Sequence, residues 1–254
     1  MSFSEIRKHH EGMLQNTEKL TGCKLAASDG DIGHIKDFYF DDRSWDLRYV
    51  VADTGTWLTG RLVLLAPRAL GRLDLDERSL SVNLTRKQIE DSPPIESHLP
   101  VSRQYEERYY GHYGWSGYWT VDGVTGVADP VVVVPPTVAE TPPHPERGQK
   151  ADIHLCSAKS VIGYDIEAID GTIGSVSGFM VDDKSWAVGT LVVEAGHWYS
   201  GKEILIASAK VGRISYEDSK VFVTLTKAEI ERTAEHHLAR AGEGNNSRAD
   251  FPTD

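Results

Sequence analysis

Short runs in which apolar and polar residues alternate make up much of the chain, interrupted by clusters of Gly, Asp, Asn and Ser. Leu80, Val82 and Leu84 put three aliphatic side chains on one side of an extended segment, the period-two pattern of a strand with one buried face. Earlier, Ser28-Asp29-Gly30 reads as a turn, Ile32 to Phe40 as a strand rich in β-branched and aromatic residues, and Asp41-Asp42-Arg43-Ser44 as a second turn. Trp45 starts the return strand to Asp53, and the loop Thr54 to Gly60 reverses the chain into Arg61 to Ala66. Gly71-Arg72, a short LDL, the polar turn DERS and the LSVNL strand follow. The pattern predicts five or six strands in about 65 residues, the spacing of a small antiparallel barrel or sandwich.

The same pattern then occurs again. With an offset of 141, Gly22–Glu90 aligns without a gap on Gly163–Glu231, and 24 of the 69 aligned pairs are identical. Shared strings include Asp29-Gly30-x-Ile32-Gly33 with Asp170-Gly171-x-Ile173-Gly174, and FDDRSW with VDDKSW. Each copy ends on a capping box, Thr85 with Gln88 and Thr226 with Glu229, followed by Ile89 or Ile230 as an apolar anchor. The chain is a tandem duplication. Its expected fold is mainly β, with two tandem small antiparallel β-barrels, each followed by a short helix. The boundaries are 1–19 for a partly helical N-terminal segment, 20–92 for the first barrel, 93–152 for a linker, 153–240 for the second barrel with its C-terminal helix, and 241–254 for a flexible tail.

The linker has its own composition. Tyr105, Tyr109, Tyr110, Tyr113, Trp115, Tyr118 and Trp119 crowd its first half, and the second half is a Pro-rich stretch containing Val131 to Val134. Prolines favour extended polyproline geometry, and so many aromatics are costly to leave in water. They are expected to pack on one or both barrels, as glue or as a recognition surface.

Composition narrows the function classes. Of 254 residues, 40% are apolar and 26% charged, and the net charge is −11. No apolar run reaches the length of a membrane span and no signal-like stretch opens the sequence, so a cytoplasmic location is expected. The acidic balance opposes bare attraction to nucleic acid or anionic lipid. Cys23 and Cys156 are too few for a disulfide scaffold and are not in a CxxC arrangement, which fits a reducing interior.

Candidate chemistry is sparse. Adjacent Asp41 and Asp42 lack the converging geometry of a catalytic dyad and the alternating oxygens of a calcium loop, so a turn role is expected. The pairs His9-His10 and His236-His237 lack the spacing of a zinc site. No nucleophile elbow or phosphate loop occurs, and no catalytic, cofactor or metal residue is assigned. Trp57 and Trp198, matched in loops of the two copies, are either barrel plugs or partner contacts. The candidate interaction surface is therefore Trp57, Trp198, Tyr109, Tyr110, Tyr113, Trp115 and Trp119.

The Asp-Gly-x-Ile-Gly segment, the apolar-x-apolar-Asp strand end, and the following Trp45 or Trp186 with a Val-rich strand resemble the PRC-barrel. That module forms the cytoplasmic part of the photosynthetic reaction-centre H subunit and the C-terminal domain of the ribosome-maturation factor RimM. The resemblance covers Leu20 to about Glu90 and Val161 to about Glu231. It implies a docking and assembly surface with no shared catalytic residues. The expected function is a non-enzymatic binding module without a cofactor. Its partner is a protein, a second copy, or a membrane complex contacted from outside, without membrane insertion. The alternatives are an RNA- or ribosome-associated factor similar to RimM, and a small-ligand- or metal-binding stress protein.

Overall fold

The computed structural model of the protein describes residues 12–95, 101, 103–120, 155–196, 199 and 202–233. The polyproline part of the linker, both histidine pairs, Trp198 and the C-terminal tail lie outside them. Along the chain run β1 (Leu14–Asn16), β2 (Lys24–Ala27), β3 (Gly30–Asp41), β4 (Leu47–Asp53), β5 (Leu62–Leu65), β6 (Leu70–Asp74) and β7 (Ser79–Val82). After the aromatic segment come β8 (Leu155–Ser157), β9 (Asp165–Ala168), β10 (Gly171–Asp182), β11 (Val188–Ala195), β12 (Glu203–Ala207), β13 (Val211–Ser215) and β14 (Lys220–Val223).

These strands form two seven-stranded sheets, ordered β5-β4-β3-β2-β7-β6 and β12-β11-β10-β9-β14-β13, with β8 added to β3 and β1 added to β10. The fold is mainly β, as the alternation predicts. The expectation of purely antiparallel strands is corrected: β2 pairs with β7, and β9 with β14, in parallel. The chain leaves β5 through a 3-10 turn at Pro67–Ala69 and makes the β6–β7 hairpin. That hairpin brings β7 back beside β2 in the same sense. Hydrogen bonding that would close either sheet into a barrel, β5 to β6 or β12 to β13, is not among the strand pairings of the described residues.

The exchange of short strands is reciprocal. Leu14, Gln15 and Asn16 pair with Asp182, Val181 and Met180, while Leu155, Cys156 and Ser157 pair with Asp41, Phe40 and Tyr39. Every residue of one set lies 141 positions from its counterpart in the other. Each repeat therefore completes its sheet with the strand that precedes the other repeat. Ser157 caps the short helix Ala158–Val161 through Ser160 N (3.0 Å), and its own hydroxyl donates to Asp37 (2.6 Å). Burial raises the Asp37 carboxyl above the usual aspartate range, against the hydrogen bonds it accepts from Ser157, Lys159 and Phe38.

The FDDRSW and VDDKSW strings lie on this seam. Asp41 Oδ1 accepts from Arg43 N (3.0 Å) and Ser44 N (3.3 Å), and Asp182 Oδ1 does the same for Lys184 N and Ser185 N. The turn role expected of Asp41 is seen, but Trp45 does not start the return strand. Trp45 and Trp186 have φ of 59° and 58°, the left-handed region, which costs a bulky residue on the order of 1–2 kcal/mol. The conformation aims each carbonyl at the other repeat: Leu47 N donates to Trp186 O (2.9 Å) and Val188 N to Trp45 O (2.7 Å). Asp46 and Ala187 form an antiparallel bridge between them. The two indoles are buried, Trp45 stacked on Phe40 at 5.4 Å, and Phe40 meets Phe179 across the seam at 5.1 Å. One hydrophobic cluster runs through both repeats. Each large side chain in it contributes about 1.5–3 kcal/mol by leaving water.

The Asp-Gly-x-Ile-Gly strings have two structural duties. Gly33 (φ +127°) and Gly174 (φ +152°) sit where a Cβ would collide with the carbonyl oxygens of Asp53 and Glu194. Asp29 accepts from Arg86 N (2.7 Å) and Asp170 from Lys227 N (2.9 Å), so each ties its hairpin to the first turn of the helix that follows the sheet. Both capping boxes are formed, and Ile89 and Ile230 are buried beneath them.

Candidate functional site

Residues 103–112 (RQYEERYYGH) form a helix, where the sequence reading expected only a packed linker. Tyr105 and Tyr109 are four apart, as are Glu106 and Tyr110, so one face of the helix is a tyrosine stripe with a carboxylate beside it. Gly114, at φ +66°, ends the helix in left-handed geometry, and Trp115 N returns to Tyr110 O (2.9 Å). The stripe lies on the outer face of the first sheet and forms a second apolar cluster with Tyr49, Val51, Leu64 and Ala66.

Tyr109 is at the centre, fully buried. Its ring meets Tyr49 edge-on at 5.6 Å, Tyr113 at 5.1 Å and Trp115 at 6.4 Å, and its hydroxyl accepts from Ala66 N (3.0 Å). Tyr105 donates to Pro93 O (2.9 Å). Tyr110 is buried against Trp119 (5.2 Å), and Tyr113 and Trp115 are stacked at 4.6 Å, each half-buried. The structure thus places Tyr109, Tyr110, Tyr113, Trp115 and Trp119 together as a cover. Tyr109 and Tyr110 are not available to a partner, because the first sheet already holds them. Trp57 lies apart in its loop, half-buried against the core with Arg86 over its ring at 4.7 Å.

Beneath the cover is a carboxylate that sequence reasoning missed. Glu106 has no exposed surface, and it accepts hydrogen bonds from the hydroxyls of Tyr49 (2.7 Å) and Tyr118 (2.9 Å) and pairs with Arg103 (2.9 Å). Buried charge persists only with such partners. Burial, and then the neighbouring Glu106, push the Tyr49 hydroxyl far above the ordinary tyrosine range. Two cations lie against the Tyr118 ring, Arg48 at 3.9 Å and Arg103 at 5.4 Å, and Arg103 also lies 4.3 Å from Trp119. A helical reading of residues 103–112 would have brought Glu106 next to the tyrosine stripe.

Next to this network, between the cover and the seam, opens a cleft of about 290 Å³ lined by Arg48, Arg68, Tyr110, Tyr118, Asp46 and Ser185 among others. Arg48 is held by Asp41 and Asp46 (3.4 Å each) and by Ser44 (3.0 Å), so its charge is met from within the chain. No group of three or more His, Cys, Asp or Glu placed to hold a metal ion occurs among the described residues, nor any helix long and apolar enough to cross a membrane. Cys23 and Cys156 are both buried, and burial above all pushes the Cys156 thiol up to about 12. Comparison of the chain with family models and with curated proteins finds no match in either set.

Proposed function

We propose that the chain is a non-enzymatic binding module of two PRC-barrel-like units, each sheet curling toward a small barrel, that docks on a protein partner in the manner of a reaction-centre H subunit. The observation that carries this reading is the unequal treatment of two equivalent faces. The first sheet's outer face is closed by the aromatic helix. The matching face of the second sheet carries exposed Leu205 on β12, and Leu14 of the exchanged strand, with β11 and β10 between them, is exposed as well. Met13, next to Leu14, is 62% exposed. Exposed aliphatic side chains on an uncovered sheet face are where such a contact would form. The seam holds the two units at a fixed pseudo-two-fold angle, which suits a partner that reads both at once.

The test is capture of partners from the native cell with the wild-type chain and with a Leu14→Glu, Leu205→Glu double variant of unchanged melting temperature. A partner held by the first and lost by the second is the expected result. A partner set that does not differ between the two removes this face from the function.

A further inference from the structure

Asp42, Arg43 and Trp45 of the first repeat meet Val211, Gly212, Arg213, Ile214 and Tyr216 of β13 and its turn around a groove of about 540 Å³. We propose that this groove is a binding site for a small monocarboxylate with an aryl or branched-alkyl body.

Three observations carry the assignment. The groove pairs apolar walls with cationic flanks: Trp45, Val211, Ile214 and Tyr216 line it, and Arg43 and Arg213 are its exposed charges. Arg213 rests on the Phe222 ring at 4.1 Å, which holds its guanidinium in place. In a chain of net charge −11, neither arginine has an ion-pair partner among the described residues. The equivalent position shows how this arises. Arg72, the counterpart of Arg213, has Asp74 at 3.9 Å, whereas Ser215 replaces that aspartate in the second repeat.

The acid that does line the groove is already engaged. Asp42 is bound up with the Cys156 thiol, which also hydrogen-bonds Tyr216. Gly212 supplies the third observation. Its φ is not in the left-handed region, and a Cβ there would meet nothing nearer than 3.6 Å. Neither backbone nor packing demands glycine at 212, and a larger side chain would take up the space of the groove. The volume is that of a small-ligand site, in which a guanidinium fork recognises a carboxylate and the apolar walls take its body. The site does not depend on whether the Leu205 face docks a partner.

The experiment titrates 3-phenylpropanoate into the full chain, followed by calorimetry and amide NMR. The expected result is saturable binding, with shifts at Arg43, Trp45 and residues 211–216. It weakens with salt, and the neutral 3-phenylpropanamide binds about ten-fold or more weakly. Arg43→Ala and Arg213→Ala each weaken binding about five-fold or more, and Gly212→Leu abolishes it, with melting temperatures unchanged. Equal binding of acid and amide overturns the proposal, as does acid binding that survives both arginine changes or the absence of any saturable shift. Inorganic phosphate binding as tightly as the acid overturns the role of the apolar walls. A short peptide ending in a free Phe carboxylate that binds about ten-fold or more tightly than the acid replaces the small acid by a peptide terminus.

Discussion

Leu64 and Leu205 occupy the same position of the two repeats, on the edge strand of each sheet, yet Leu64 is 1% exposed and Leu205 is 41% exposed. Around them the sequences diverge in step: Tyr49 is answered by Thr190, Leu62 by Glu203 and Tyr39 by Met180. Register shifts fall at equivalent positions in both, between Ile35 and Asp37 and between Tyr39 and Phe40 in β3, and between Val176 and Gly178 and between Met180 and Val181 in β10. The backbone of this fold therefore does not determine whether its outer face is wet. A segment outside the repeat determines it, and the face residues have changed to suit.

The sharpest way to break the comparison is Tyr109→Ala. It removes a fully buried ring on which the rest of the cover packs, and a loss of about 3–5 kcal/mol is expected in denaturant unfolding. Thr190→Ala on the matching second face should cost under about 1 kcal/mol. Gly33→Ala and Gly174→Ala probe what the halves share. Each forces a Cβ against a carbonyl oxygen at positive φ, so both should lose about 2–4 kcal/mol, and by similar amounts. A large disparity between them would show that the equivalence ends at the seam.

Glu106→Gln keeps the shape but weakens the bonds from Tyr49, Tyr118 and Arg103, a loss of about 1–3 kcal/mol with no equivalent in the second repeat. The same cover makes the protein sensitive to alkali. Tyr49, Tyr105, Tyr109, Tyr110 and Tyr118 are all raised above the ordinary value of 10.0, burial being the first cause in each. A raised group contributes stability that is full below its unfolded value and lost as pH climbs past it. Melting temperature should hold to about pH 10 and then fall, each such group adding up to about 1.4 kcal/mol per pH unit. Tyr110→Phe should shallow that decline. The smallest effect is expected at Leu205→Ser, within about 0.5 kcal/mol, because the side chain is already wet.

The sequence was most legible where local chemistry and repetition agreed. Alternation gave the strands, Asp41 and Asp182 gave the turns, and the Thr85 and Thr226 boxes gave the terminal helices, since each depends on residues close in the chain. Parallel pairing of β2 with β7 was not legible, because nothing local distinguishes a returning strand's direction. The aromatic helix was hidden by the company of prolines and glycines, although Tyr105, Tyr109 and Tyr113 stand at helical spacing. Glu106 and Arg48 look like surface charges in the sequence. Only tertiary packing makes one buried and pins the other against Tyr118.

The exchange of β1 and β8 alters what counts as half of this molecule. The unit that was duplicated runs from Gly22 to Glu90, but the unit that can stand alone does not. Residues 20–92 in isolation would leave the edge of β3 at Tyr39, Phe40 and Asp41 without the strand that pairs with it. Conversely, a single break in the backbone between residues 120 and 155 would yield two fragments, each still holding a strand of the other's sheet. Such a nicked protein should run as one particle under native conditions and as two only when unfolded. The covalent connection between the repeats raises their effective concentration; the strands themselves hold them together.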